Sequence, residues 1–222
     1  MTVHASHPTA SAPSETVRVW DIAVRVFHWS LVITFLIAFY TEDDTLWLHV
    51  WAGYAVGGLI AFRVVWGFVG TRHARFTDFI YPPVTVLDHL RNLLKLRSKR
   101  YLGHSPAGGA MIIAMFVVLS VTVWSGLELY AIKDNAGPLA NSAQTVAHAP
   151  EAARPLFHLA ASHQERGGAG LWEEGHELLA NLAMMLVVLH VCGVAFTSFA
   201  HRENLVRAMI TGRKVSRPGD AG

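Results

Sequence analysis

Charge is what this chain lacks most. Only 15% of its 222 residues are Asp, Glu, Lys or Arg, against 52% hydrophobic, and the mean hydropathy is +0.34. A soluble domain carries about 25% charged residues, so this chain has too few to cover a water-facing surface. Cysteine is nearly absent as well. The single Cys192 excludes an internal disulfide and any multi-cysteine metal cluster. Lying in an apolar run, it reads as a small buried hydrophobe. No C-x-x-C-H occurs, which excludes a thioether-linked haem of the c type. Residues 1–16, MTVHASHPTASAPSET, have neither a basic n-region nor an apolar h-region, so no cleavable signal peptide is expected. They read as a polar disordered tail that includes His4 and His7.

What is present is long uncharged stretches. Between Gly108 and Leu127 twenty residues pass without a charge, enough to cross a hydrocarbon core of about 30 Å at about 1.5 Å per residue. The expected spans are about 22–41, 46–69, 107–130 and 175–200, which makes an all-α, four-helix membrane bundle. One domain, 17–212, holds them all, with 213–222 as a C-terminal tail. The first link is short enough for an antiparallel hairpin, with Asp44 or Thr45 capping the second helix and acids at 42–44 facing its positive end. Proline follows Ser105 at a first-turn position of the third helix. A loop over about 131–172 precedes the fourth helix.

Basic residues cluster on one side. The loop 70–105 carries Arg72, Arg75, Arg91, Lys95, Arg97, Lys99 and Arg100, and the tail after Ala200 carries Arg202, Arg207, Arg213, Lys214 and Arg217. The segment 128–177 has Lys133, Arg154 and Arg166 against seven acids. Both termini and the 70–105 loop are therefore expected in the cytoplasm. The net charge of +2 is a topology signal and calls for no nucleic-acid partner. Within that loop, 84–100 sets leucines mostly on one face, an amphipathic helix lying on membrane lipid, with His89 on its surface.

Thirteen histidines are present, and four of them fall in the spans, where an ionisable group is costly and marks a functional candidate. His176 and His190 are fourteen residues apart, about 21 Å along a helix and within about 40° of the same face. His28, two turns into the first helix, matches the depth of His190. His49, at the start of the second, matches His176. Each pair comes from two helices, as needed to grip a flat group from opposite sides. A haem b suits such a cage. Two imidazoles fill both axial positions of iron, which favours electron transfer over bond-making chemistry. Two non-covalent haems b at different depths would make a transmembrane wire.

Other residues fit around that cage. Gly53 and Gly57 follow His49 by one and two turns, and Gly193 adjoins His190. They either admit a macrocycle or serve helix–helix contact. Arg25 shares the side of His28. Arg63, fourteen residues after His49, reaches the inner depth on the same face. Each arginine either pairs with a haem propionate or contacts quinone, or, for Arg63, snorkels to the interface. The third helix offers no ligand and reads as scaffold.

The runs VRVWDIAVRVFHWSLV (17–32), LHVWAGYAVGGLIAFRVVWGFVGTRHARF (48–76), YLGHSPAGGAMI (101–112) and HELLANLAMMLVVLHVCGV (176–194) resemble the bacterial cytochrome b561 and nickel–iron hydrogenase b-type cytochrome family. The likeness covers nearly all of the chain outside residues 1–16 and 131–172. It implies that His28, His49, His176 and His190 are the haem ligands. It also implies an inner-membrane subunit passing electrons between quinone or quinol and a periplasmic redox protein, such as a c-type cytochrome or a hydrogenase-like subunit. His104, in the segment YLGHSPAGG, either contacts a propionate or quinone headgroup or caps the third helix; capping is the plainer expectation. Two other functions are weighed. A self-sufficient oxidoreductase taking electrons from superoxide would meet an acidic outer side that repels anions. A histidine-lined transporter would want carboxylates in mid-membrane, and the spans offer almost none.

Overall fold

The computed structural model describes residues 15–41, 45–140, 154–217 and 220, with backbone alone for 154–169. His4, His7, the acids at 42–44 and residues 141–153 of the expected loop lie outside the described residues. The chain runs β1 (Thr16–Arg18), α1 (Ile22–Tyr40), α2 (Leu46–Val69), two 3-10 turns (Arg72–Ala74 and Phe76–Asp78), α3 (Pro83–Leu94), α4 (Pro106–Asp134), α5 (Arg154–His201), α6 (Leu205–Thr211) and β2 (Arg213–Val215).

Among the described residues, four helices are long and apolar enough to cross a membrane: α1, α2, α4 and the part of α5 from Gly170. At most 28% of the apolar window of any of them is buried inside the protein. Ile33, Trp51, Val65, Phe68 and Phe199 point outward, as side chains do where the surrounding medium is hydrocarbon and the backbone is satisfied within each helix. Cys192 is also exposed on α5, which corrects the buried reading. It faces outward with its apolar neighbours. The last helix begins at Arg154, so much of the expected 131–172 loop is helical.

Helix ends follow local chemistry. Asp21 caps α1 by accepting from the Val24 amide at 2.8 Å. Its second carboxylate oxygen accepts from Trp66 Nε1 at 3.2 Å and Thr71 Oγ1 at 2.5 Å, tying the start of α1 to the end of α2. Burial alone would raise the Asp21 pKa, but these bonds hold it below the usual carboxylate value. Thr45 stands at the N-cap of α2 without a capping side-chain bond. Ser105 caps α4 through the Gly108 amide at 3.2 Å, so the capping role expected of His104 belongs to its neighbour. A side chain at Gly109 would collide with the Phe79 carbonyl oxygen; glycine lets α4 lie against that backbone.

In the bundle, α1 packs on α2, α4 on α5 and α2 on α4. One core cluster, Phe35, Val56, Ile60, Leu119 and Ala183, fills the middle. A second, Val19, Trp20, Val24, Ala74 and Ala208, lies at one end. At that end β1 pairs antiparallel with β2, Val17 opposite Lys214, and the Val19 amide donates to Gly212 O at 2.9 Å. Arg100 closes the junction. It donates to Glu203 at 2.6 and 2.8 Å, to Asp220 at 2.5 Å and to Val215 O at 2.8 Å. The described ends of the chain thus meet on one side of the bundle, the terminal face. His89 is buried there beside Tyr101, with ring centres 5.4 Å apart; the surface position expected for it is overturned, because α3 turns that side of its helix onto the bundle.

Candidate functional site

Three of the spans bring the four histidines together in two pairs. His28 of α1 and His190 of α5 have ring centres 6.5 Å apart near the terminal face. His49 of α2 and His176 of α5 are 5.9 Å apart toward the opposite face. Two metal–nitrogen bonds of about 2 Å, plus roughly 1.1 Å from each ring nitrogen to its centre, would set trans imidazoles about 6 Å apart. Both separations agree with that spacing. Neutral imidazole on each side is also the donor set that six-coordinate haem iron takes.

The opposite-face pair is oriented by hydrogen bonds. His49 Nδ1 lies 2.8 Å from the carbonyl of Ala38. A carbonyl only accepts, so Nδ1 carries the hydrogen and Nε2 presents its lone pair. His176 Nδ1 lies 2.9 Å from Ser125 Oγ, and Ser125 donates its own hydrogen to Thr122 O at 2.8 Å. Ser125 must therefore accept from His176 Nδ1–H, which again leaves Nε2 free. A side chain at Gly126 would come within 2.9 Å of His176 Cε1. Helix α4 is thus more than scaffold: Ser125 aims a histidine and Gly126 makes room for it. Beside this pair is an apolar cleft, lined by both rings and among others by Phe39, Gly53, Tyr54 and Leu119. Gly53 borders the cleft with open space at its Cβ position, whereas a side chain at Gly57 would come within 3.2 Å of Val123 of α4, so Gly57 serves helix–helix contact. Gly193, like Gly53, has open space before it.

The terminal-face pair has different surroundings. Among the described residues, His28 Nδ1 is buried without a hydrogen-bond partner, and so are Arg25 Nε, one terminal nitrogen of Arg63 and His104 Nδ1. Arg63 is only 3% exposed, which overturns the snorkelling alternative. Its guanidinium lies 5.5, 5.7 and 6.0 Å from the ring centres of Phe76, Phe79 and Phe116, in reach of cation–π attraction. A buried cation with an unused donor invites an anion. Arg25 reaches Thr211 O at 3.4 Å and keeps its Nε free. Orphaned donors of this kind suit the carboxylates of a haem. His104 stacks between Trp20 at 4.5 Å and Phe79 at 4.8 Å. Burial, then the charges of Arg63 and Lys214 and the imidazole of His73, push its pKa down to about 3. It is neutral at physiological pH.

A model of prokaryotic cytochrome b561 matches residues 19–212. The chain belongs to that family. As a member of the cytochrome b561 family it is a multi-pass membrane protein that takes haem b and transfers electrons within the membrane. It is also 23% identical, over 235 residues, to a probable Ni/Fe-hydrogenase B-type cytochrome subunit of Rhodobacter capsulatus, covering 90% of this chain and 81% of that one. No solved structure matches. For this cytochrome, Ser125, Gly126 and the Ala38 carbonyl escaped sequence reading. The one signal was a small polar pair, Ser-Gly, inside an otherwise apolar span.

Proposed function

We propose that this cytochrome holds two non-covalent b haems, one between His28 and His190 and one between His49 and His176. It then carries electrons between membrane quinone at the terminal face and a redox protein at the opposite face. The observation that carries this reading is the spacing of the two ring pairs, each drawn from separate helices. When bound, such haems supply a one-electron iron couple with no open coordination position. The chain's own groups do the rest. Four imidazoles orient the metal, and Arg25 and Arg63 offset carboxylate charge in a low dielectric. The apolar middle around Phe35, Val56 and Leu119 keeps water out between the two ends.

Orientation follows from charge. The terminal face carries the basic loop and tail, so it is cytoplasmic by the positive-inside rule, and the opposite face is periplasmic. A hydrogenase-like subunit is the partner favoured there, on the strength of the Rhodobacter capsulatus relative; a c-type cytochrome would dock by the same surface. Quinone is assigned to the terminal face because Arg63 and His104 supply polar groups beside an otherwise aromatic wall. A pyridine haemochrome assay on the purified protein should return two haems b per chain, both low-spin. One haem, none, or a covalently held one would refute the reading.

A further inference from the structure

Quinol chemistry moves protons as well as electrons, and Arg63 is walled mostly by aromatic rings, with the Asp21 carboxylate, already bonded to Trp66 and Thr71, as the nearby anion. Phe76, Phe79 and Phe116 surround Arg63, and a guanidinium cannot give up or take a proton at physiological pH. A proton leaving a quinol there needs a neutral base. His104 is one: it shares the Phe79 ring with Arg63, and its Nδ1 is buried and unpartnered. From there a path to water is built. His73 Nδ1 and Asp78 Oδ2 are 2.9 Å apart, with side chains 17% and 18% exposed. A side chain at Gly103 would come within 2.9 Å of His73 Nδ1 and 3.2 Å of Asp78 Oδ2. The dyad therefore lies against the backbone of the residue preceding His104. Beyond it stands Arg72, 75% exposed and 3.8 Å from Asp78.

We propose that His104 is the proton acceptor for quinol oxidised beside Arg63, and that the His73–Asp78 dyad passes that proton to the cytoplasm. The proposal rests on the reading that quinol reacts at the terminal face. In each half of the reaction an O–H bond of the quinol breaks and the proton goes to the imidazole of His104. One electron goes to the one-electron carrier held by the histidine pairs. Two such halves leave quinone, two protons and two electrons. The imidazole takes a proton at one nitrogen and releases one at the other, and the Asp78 carboxylate stabilises the imidazolium that forms transiently on His73. The charged and titratable groups around His104 are Arg63 from α2, Lys214 from β2 and His73 from the first 3-10 turn, with the Tyr81 hydroxyl on its carbonyl at 3.4 Å. Burial, with the nearby charges of Arg63 and Lys214, keeps the proton from lodging on His104, which suits a site of passage.

The test uses the haem-loaded full chain in lipid nanodiscs. Haem reduction is followed by stopped flow with a short-chain ubiquinol and, separately, with reduced methyl viologen, which brings no proton. His104→Gln should slow the ubiquinol reaction by at least about tenfold and leave the viologen rate and the haem spectrum unchanged. Asp78→Asn should slow it less. In redox-induced infrared difference spectra with ring-15N histidine, a shifted imidazole band should be present in the wild type and missing in His104→Gln. If Arg63→Leu slows ubiquinol but His104→Gln does not and the imidazole band persists, the relay is wrong while the quinone site stands. If wild-type haems accept electrons from viologen and none from ubiquinol, the quinone reading falls and takes the relay with it. Should His104→Gln lose haem, His73→Gln carries the same rate test, and an unaltered rate there overturns the relay.

Discussion

The two histidine pairs are held by opposite means. At His49 and His176 each Nδ1 has a fixed acceptor, the Ala38 carbonyl and the Ser125 hydroxyl, and an apolar cleft lies alongside. At His28 the Nδ1 has no hydrogen-bond partner among the described residues, and unmet nitrogens stand on Arg25, Arg63 and His104 at the same end. The first end sets ring orientation through hydrogen bonds inside the membrane. The second sets charge, and waits for anionic or carbonyl groups to complete it. The difference follows from position: the span starts of α2 and α5 are met by a helix carbonyl and by a hydroxyl of α4. The terminal-face pair sits beneath loops that bring in arginine, histidine and aromatic rings.

Ligand removal breaks this comparison most completely. His176→Ala or His49→Ala should abolish one spectral component, and His28→Ala or His190→Ala the other, because each loss opens one coordination position only. Low-temperature optical spectra resolved by redox potential check this, and loss of the same component from His49→Ala and His28→Ala would overturn the pairing. A smaller, one-sided effect is expected of Ser125→Ala. Without its acceptor, His176 is less firmly aimed, and haem at that pair should be retained about tenfold less tightly. Transfer of haem to apomyoglobin measures it, and the His28–His190 haem should dissociate at its normal rate.

The smallest effect concerns acid. His104 is held neutral in the folded protein, with its pKa lowered from 6.5 to about 3. The folded state then binds fewer protons than the unfolded one between those values, so stability is fully present above pH 6.5 and declines as pH falls toward 3. Hydrogen exchange at pH 7 and pH 5 should show loosening around residues 101–105 and the end of α2 before the opposite face changes. His104→Gln should flatten that response, and a uniform loosening of both ends would count against it.

Much of this was legible from the residues. Four spans show as long apolar runs with very few charges because lipid tolerates few of them, and the fourteen-residue spacing of His176 and His190 puts two rings on one face of a continuous helix. The surroundings were less readable. Serine in an apolar helix can always bond the preceding turn, as Ser125 does to Thr122, so nothing in the sequence announces its second bond to His176. The burial of Arg63 depends on Phe76 and Phe79, which follow a chain reversal and reach it only in three dimensions. His89 reads as surface on a helical wheel because the wheel does not say which side α4 covers.

The pairing of β1 with β2, locked by Arg100 against Glu203 and Asp220, gives the protein an order of assembly. A chain emerging from its N-terminus has α1, α2 and α4 in the bilayer long before residues 213–220 exist. Closing a loop of nearly the full chain length is the last and least local contact to form. Until then Trp20 and Arg25 lack their bonds to Gly212 and Thr211. The seam between β1 and β2 thus acts as a late fastening of biogenesis, drawn shut only after both strands have been made.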